Sequence, residues 1–348
     1  MVNMLKKILN LYKIFVSTRL APYFIWSRWA ASLYYFLLSN KFRREHYAVL
    51  AGKVKHLRES KKEKASVVTL IRNTHRLEKG LLMKPRRDVF ALDFIKETVD
   101  QFETIYNAHD YVIGSQLKWS FDVLQEYFSV TGNHPKLDLQ RQRFNNIVKD
   151  GPENCELRSV PYHRHEENKP NISFDDFYKL TKYRRSVRWF LDKKVPHELI
   201  DKAIMAANQS PSACNRQPFE FRIIDGQPLL EKVSNIPGGV KGYAHNIPMF
   251  IVAVGNLDAY FDERDRHVMY VDASLANMTL MLALETLGLS SCAINWPDVE
   301  NFERQMDQAL KLNEWQRPIM CMAVGYPDPE GLVAFSEKRN INDIRKYN

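Results

Sequence analysis

The chain is poor in cysteine. Cys155, Cys214, Cys292 and Cys321 are its four thiols in 348 residues, and no pair has C-x-x-C spacing. Nothing here suggests a disulfide framework, and a reducing, cytosolic setting fits. Acidic residues are missing from the start of the chain, where Glu45 is the first to appear. Internal repeats and low-complexity tracts are lacking, and no secretory leader is evident. No long apolar run goes uninterrupted. The nearest approach, "LAPYFIWSRWAASLYYFLLSN" from Leu20 to Asn40, has Arg28 near its middle and Pro22 near its start. Arginine in mid-span is costly in a bilayer, which argues against a true crossing.

What is present suits a folded protein. Apolar residues make up 45% and charged residues 26%, which excludes disorder throughout. The length accommodates two modest domains, or one with a long extension. Charge is unevenly placed. Up to Leu50, eight Lys/Arg stand against one acid, so this seventh of the chain carries most of the formal net charge of +9. Such asymmetry calls for a surface partner. Two readings of residues 20–40 stay open: a helix packed on its own protein, or a basic, aromatic segment lying in a membrane interface. No nucleic-acid motif accompanies the charge, and nucleic acid is not expected as a partner. The expected location is cytoplasmic, with residues 1–50 as the candidate for peripheral contact with the inner membrane surface.

Texture divides the chain in three. Residues 1–130 read as mainly helical and basic; Lys41 to Lys64 predicts an exposed helix with few apolar anchors. Apolar residues at helical spacing follow, as in Phe94, Val99, Phe102 and Tyr106. Residues 131–170 read as a polar connector with some helix around Leu137 to Val148. From residue 171 to 348, helices and strands alternate. Ser173 is a candidate N-cap, "MFIVAVGN" and "IMCMAVGYP" are apolar strands, and a long apolar helix ends near Gly288.

Two stretches carry chemistry. "YRRSVRWF" can aim Arg184, Ser186 and Arg188 at a common point, and two guanidiniums with a hydroxyl suit a phosphate. A basic surface turn is the plain alternative. "SPSACNRQPFEF" is a loop shaped by Pro211 and Pro218. Its Ser212, Asn215 and Gln217 offer donors and acceptors for a flat heterocycle, or simply cap a strand.

At this order and spacing the two stretches resemble the FMN-dependent nitroreductase family, with its R-x-S-x-R/K element followed by a P-S-x-x-N-x-Q-P loop. "GYAHNIPMFIVAVGN", "LETLGLSSCAINW" and "AVGYPDP" extend the resemblance to roughly residues 174–344. It implies an α+β fold: a mixed sheet flanked by helices, dimeric, with a mainly helical N-terminal extension. It further implies that Arg184, Ser186 and Arg188 bind the FMN phosphate and ribityl chain. Pro211, Ser212 and Asn215 would approach the flavin of the other subunit. Ile294, Asn295 and Trp296 would bring backbone amides near flavin N5 and O4, with Lys338 or Arg339 reaching the phosphate from the tail. Many members have Glu-Gly where this chain has Asn295 and Trp296, so the indole is expected to reshape the space over the ring. The implied activity is NAD(P)H-dependent reduction of the flavin, then of a small-molecule acceptor, in a ping-pong cycle without a side-chain acid or base. A flavin-binding scaffold docked on a membrane or polysaccharide-assembly complex is the alternative.

The string "RNTHRLEKGLLMKPRRDVF" lies outside that resemblance. Similar extended nitroreductases, some associated with surface-polysaccharide biosynthesis, carry such an H-R-L-E-K-G-L run. It reads either as a salt-bridged helix end terminated by Gly80, or as a surface where Lys79, Arg86 and Arg87 receive an anionic group. Cys214 reads as a small packed residue. Cys155 with His163 and His165 makes too weak a pattern for a metal site, and none is expected.

Overall fold

The computed structural model describes residues 2–61, 66–108, 116–149 and 158–348; Cys155 lies outside them. The N-terminal part is helical: α1 (Val2–Phe15), α2 (Arg28–Leu37), α3 (Arg43–Lys61), α4 (Val67–Leu81), α5 (Ile95–Ala108), α6 (Gln116–Val130) and α7 (Pro135–Ile147). The C-terminal part mixes helices α8 (Phe174–Tyr183), α9 (His197–Ala207), α10 (Leu229–Ser234), α11 (Val268–Thr286), α12 (Glu300–Leu310) and α13 (Ile341–Ile344) with strands β1 (Phe219–Ile224), β2 (Met249–Asn256), β3 (Ser290–Asn295) and β4 (Gln316–Gly325). The class is α+β, as the sequence led one to expect.

The four strands run in the order β1-β2-β4-β3, and every neighbouring pair is antiparallel. Parallel pairing among the described residues is confined to one bridge, Ser186 to Ser291, on the outer edge of β3. Alternation explains why β2 is apolar end to end. Phe250, Val252 and Val254 join a core with Leu230 and Val233 of α10 and Met306 of α12. Met249 and Ile251 point the other way, to Ala203 of α9 and Leu280 and Leu284 of α11. A sheet covered on both faces needs no polar alternation. Gly288, at φ +72°, turns the chain from α11 into β3, where a side chain would be strained. Ser173 caps α8 by accepting the Asp176 N–H at 3.1 Å.

A second core gathers α4 to α7 around Leu77, Phe102, Tyr127 and Phe144. Helix α7 belongs to it through Leu137, Gln140 and Phe144, spaced to share one face. The helix expected around Leu137 to Val148 is thus present as Pro135–Ile147, and it is packed into this core.

The expectation for Lys41 to Lys64 needs correction. Helix α3 does lack large apolar anchors, yet it is not an isolated surface helix. Ala48 and His56 are buried along it, and Gly52 lies so close to Leu257 that an added Cβ would stand 2.6 Å from its carbonyl carbon. Small residues allow the close approach, and ion pairs secure it. Arg44 bonds Glu300 at 2.9 Å and Asp307 at 2.6 Å, Lys53 meets Glu263 at 2.8 Å, and Lys55 pairs with Asp258.

Candidate functional site

The segment 184–190 leaves α8 and runs along the edge of β3. Val187 N–H donates to Ser291 O at 3.1 Å. Asn246 fixes the next turn, donating to Arg188 O at 2.6 Å and accepting from Phe190 N–H at 3.2 Å. The backbone of the segment is thus held while its polar side chains remain available. Arg184 Nε is buried without a partner, and so is the hydroxyl of Ser291 beside Ser186. Arg188 is exposed, makes a long 3.4 Å contact with Ser186 O and lies 6.0 Å from the Tyr243 ring centroid. Unpaired buried donors are uncommon in folded proteins and suggest a missing acceptor. Two guanidiniums and two hydroxyls form a donor set suited to a phosphate group.

Glu285, an acid of the apolar helix α11, comes close enough to Arg184 to feel its charge. Ser290 Oγ donates to its carboxylate at 3.1 Å, while the other oxygen is unpartnered. Burial pushes the Glu285 carboxyl up to about 7, with Ser290 and Arg184 working against the rise. The only hint in the sequence was one acid near the end of an apolar helix.

The loop 211–217 is held from beneath by α11. Asp272 Oδ2 accepts the Ala213 N–H at 3.0 Å, and burial raises its carboxyl above the ordinary value. Cys214, Asn215 and Gln217 all have positive φ. That strain is offset inside the loop, where Gln217 donates its N–H to Ser212 Oγ and its side-chain amide to Asn215 Oδ1, both at 3.0 Å. Ser212 and Asn215 therefore serve the loop's own shape first; the Ser212 hydroxyl, accepting here, keeps its proton to donate. Pro211 is exposed and Cys214 half-buried. Arg216 is 8% exposed, 3.6 Å from Asp265, with Nε unpartnered.

At the end of β3, Ile294 is buried and Asn295 exposed. Trp296 departs from expectation. Its indole turns into the core and donates Nε1–H to Glu303 at 2.7 Å. It is 9% exposed and lies 6.3 Å from the Phe302 ring in a tilted contact, so it does not stand over open space as a bulky replacement for glycine would. Glu303 is fully buried and also accepts from Arg317 Nε at 3.0 Å; Arg317 reaches Asp298 at 3.1 Å. This buried relay pins the turn after β3.

Lys338 and Arg339 are not brought to the arginine segment. They lie on an exposed tail, where Arg339 donates to Asp343 O at 2.9 Å. The tail lacks the packing that would turn it back on its own chain.

The string in α4 resolves largely into structure. Arg76 lies 3.5 Å from the Phe94 ring centroid and bonds Asn73 and Asp93, each at 3.2 Å. Glu78 accepts from Trp119 Nε1 at 2.9 Å. Gly80 does not terminate the helix, which runs on to Leu81. Its role is contact: an added Cβ would fall 2.1 Å from the Phe90 ring. Lys79, Arg86 and Arg87 stay exposed. On the other face, α4 packs against the loop at Ala213–Asn215. There, burial and the neighbouring charges of Arg76 and Arg216 lower Arg72. That meeting of α4 with the loop was not readable from the sequence.

The nitroreductase family model matches residues 181–238 and 235–326. That span holds the arginine segment, the strained loop and all four strands. Residues 181–326 belong to the nitroreductase family. Among relatives, a protein of Methanothermobacter thermautotrophicus assigned by name to the NADH dehydrogenase/NAD(P)H nitroreductases is 28% identical over 160 residues, covering 45% of this chain and 80% of its own. The iodotyrosine deiodinase of Thermotoga neapolitana is 28% identical over 168 residues, covering 43% and 88%. Among solved structures, an FMN-dependent nitroreductase of Clostridium difficile is 27% identical, covering 47% of this chain and 92% of its own, with a TM-score of 0.39. The nitroreductase domain is thus an oxidoreductase domain preceded by a helical extension that the family model does not match.

Proposed function

We propose that the nitroreductase domain binds FMN and passes reducing equivalents from NADH or NADPH to a small-molecule acceptor, in two successive half-reactions. The observation that carries this reading is the donor set of Arg184, Ser186, Arg188 and Ser291, with two buried donors left unpartnered, inside the family match. When bound, FMN supplies the hydride chemistry. The chain's part is to hold and tune it. Arg184 and Arg188 neutralise the phosphate, and Ser186 and Ser291 add hydroxyl donors. The backbone N–H groups from Ile294 to Trp296, pinned through Glu303, offer fixed dipoles to the flavin's developing negative charge.

A homodimer is part of the proposal. Helix α8 has no buried residue and exposes Phe174 and Tyr178, while α11 exposes Val271 and Leu275. A second copy covering these faces would bring its loop at Pro211–Asn215 to the flavin. Names carried by the relatives, nitroreductase and iodotyrosine deiodinase, make nitroaromatics and iodotyrosine the first acceptors to try.

The test is an anaerobic absorption spectrum of protein produced with ample riboflavin. A yellow protein that bleaches with NADH or NADPH and recovers colour on adding acceptor supports the proposal. A folded, colourless protein overturns it; a yellow protein that neither nicotinamide reduces overturns its redox half.

A further inference from the structure

Residues 2–37 fold as a helical hairpin with its apolar side chains outward. In α1, Met4, Leu5, Ile8, Leu9, Tyr12 and Phe15 share one face by helical spacing, and each is at least half exposed. In the sequence Asn3, Lys6, Lys7, Asn10 and Lys13 are interspersed with them, and Leu11 and Ile14, each also at least half exposed, lie off that face. In α2 the inward positions are Ala30 and Tyr34, and Tyr34 OH donates to Val16 O at 3.3 Å, closing the hairpin. The outward positions hold Trp29 at 87% and Phe36 at 75% exposure, with Trp26 at 78% in the preceding turn. Arg28 is exposed among them. Exposed tryptophans clustered with apolar residues on one element are far from the scattered apolar surface of ordinary soluble proteins.

We infer that this hairpin is a monotopic anchor that seats the protein on an anionic lipid surface. The apolar faces would enter the boundary between headgroups and acyl chains, Trp26 and Trp29 would sit at headgroup level, and the cations would meet lipid phosphates. Three observations select this occupant. Helical turns run on from α1 to Phe24, but Lys6, Lys7, Lys13 and Arg19 are spread along that stretch and charge in mid-span is costly in a bilayer, while α2, at 10 residues, falls short of the roughly 20 needed to cross. The segment up to Leu50 carries eight cations against one acid, which complements an anionic surface. A second copy of the same patch would set those cations against each other. The hairpin is also rooted on the enzyme domain, because α3 follows it directly and is locked there by Arg44 and Gly52. The anchor stands independently of the flavin reading.

Co-sedimentation of the full chain with vesicles tests it, using phosphatidylcholine alone and phosphatidylcholine mixed with phosphatidylglycerol. Binding is expected to the mixed vesicles, weakened by high salt. The double variant Trp26→Ala/Trp29→Ala should lose at least about tenfold in binding, with far-ultraviolet circular dichroism and flavin content unchanged. Lys6→Gln, Lys7→Gln and Lys13→Gln should each cost about fivefold on mixed vesicles only. No pelleting with either vesicle would overturn the inference. So would undiminished binding by the tryptophan variant, or a loss of its native oligomer in lipid-free solution, which would show that another copy covers the face.

Discussion

The helical unit of α4 to α7 and the nitroreductase domain treat buried polar groups in opposite ways. In the helical unit they are answered locally: Lys118 pairs with Asp122, Thr74 donates to Ser120 at 3.0 Å, and Asn73 donates to Glu97 at 2.8 Å. In the nitroreductase domain several are left open, although Glu303 is answered by Trp296 and Arg317. All eight buried side-chain atoms without a partner, among the described residues, fall between Arg184 and Arg317. Leaving a buried donor unsatisfied costs on the order of 1–3 kcal/mol. A fold that tolerates this repeatedly in one region, and not in the other, reserves that region for a ligand or a second subunit. The helical unit reads as support, touching the reserved region where α4 meets the loop at Ala213–Asn215.

Substitutions can break this contrast. The largest effect is expected from Arg184→Ala with Arg188→Ala. Losing two charge-assisted phosphate contacts should weaken FMN binding by about 100-fold or more, read as loss of yellow colour and by titration, with the urea midpoint of the apo-protein little changed. Full flavin content in this variant would end the phosphate assignment. Next comes Glu303→Gln, which leaves Arg317 buried beside a neutral partner. A loss of about 3 kcal/mol in unfolding free energy is expected, together with a shifted flavin spectrum if the turn after β3 moves. Gly80→Ala should cost about 1–3 kcal/mol through its clash with Phe90, while flavin stays bound; loss of flavin there would mean that the helical unit does more than support.

A finer test concerns pH. The Glu285 carboxyl is raised from its ordinary 4.5 to about 7. The folded protein therefore takes up a proton between those values, so this contribution to stability is full below the window and is lost as pH rises through it. Glu285→Gln should flatten that decline in apo-protein and stand above the parent at about pH 8, checked by thermal melts across the range. The smallest effect is expected for Arg44→Gln, about 1 kcal/mol, since its partners Glu300 and Asp307 are partly solvated. It would loosen α3 without touching the flavin segment.

Much of the sheet domain was legible because local rules coincide there. Alternating burial accounts for β2, Ser173 for the start of α8, and Gly288 for the end of α11. The serial motifs at Arg184–Arg188 and Pro211–Asn215 exposed the candidate site. Legibility failed where a side chain's meaning depends on a distant neighbour. Gly80 looked like a helix end and proved to be a seat for Phe90. Trp296 looked like an obstacle over the ring and proved to be anchored by Glu303. Gly52 carried no signal until Leu257 was found against it.

The sequence by itself determined the periodicities, the caps and the order of functional groups along the chain, because those depend on residues a few positions apart. Only the tertiary structure decided which charges are neutralised and which are kept open. It also decided that α3 is bolted to the enzyme domain while the hairpin before it faces outward. Pairings such as Arg44 with Glu300, 256 positions apart, arise from packing, and no local pattern encodes them.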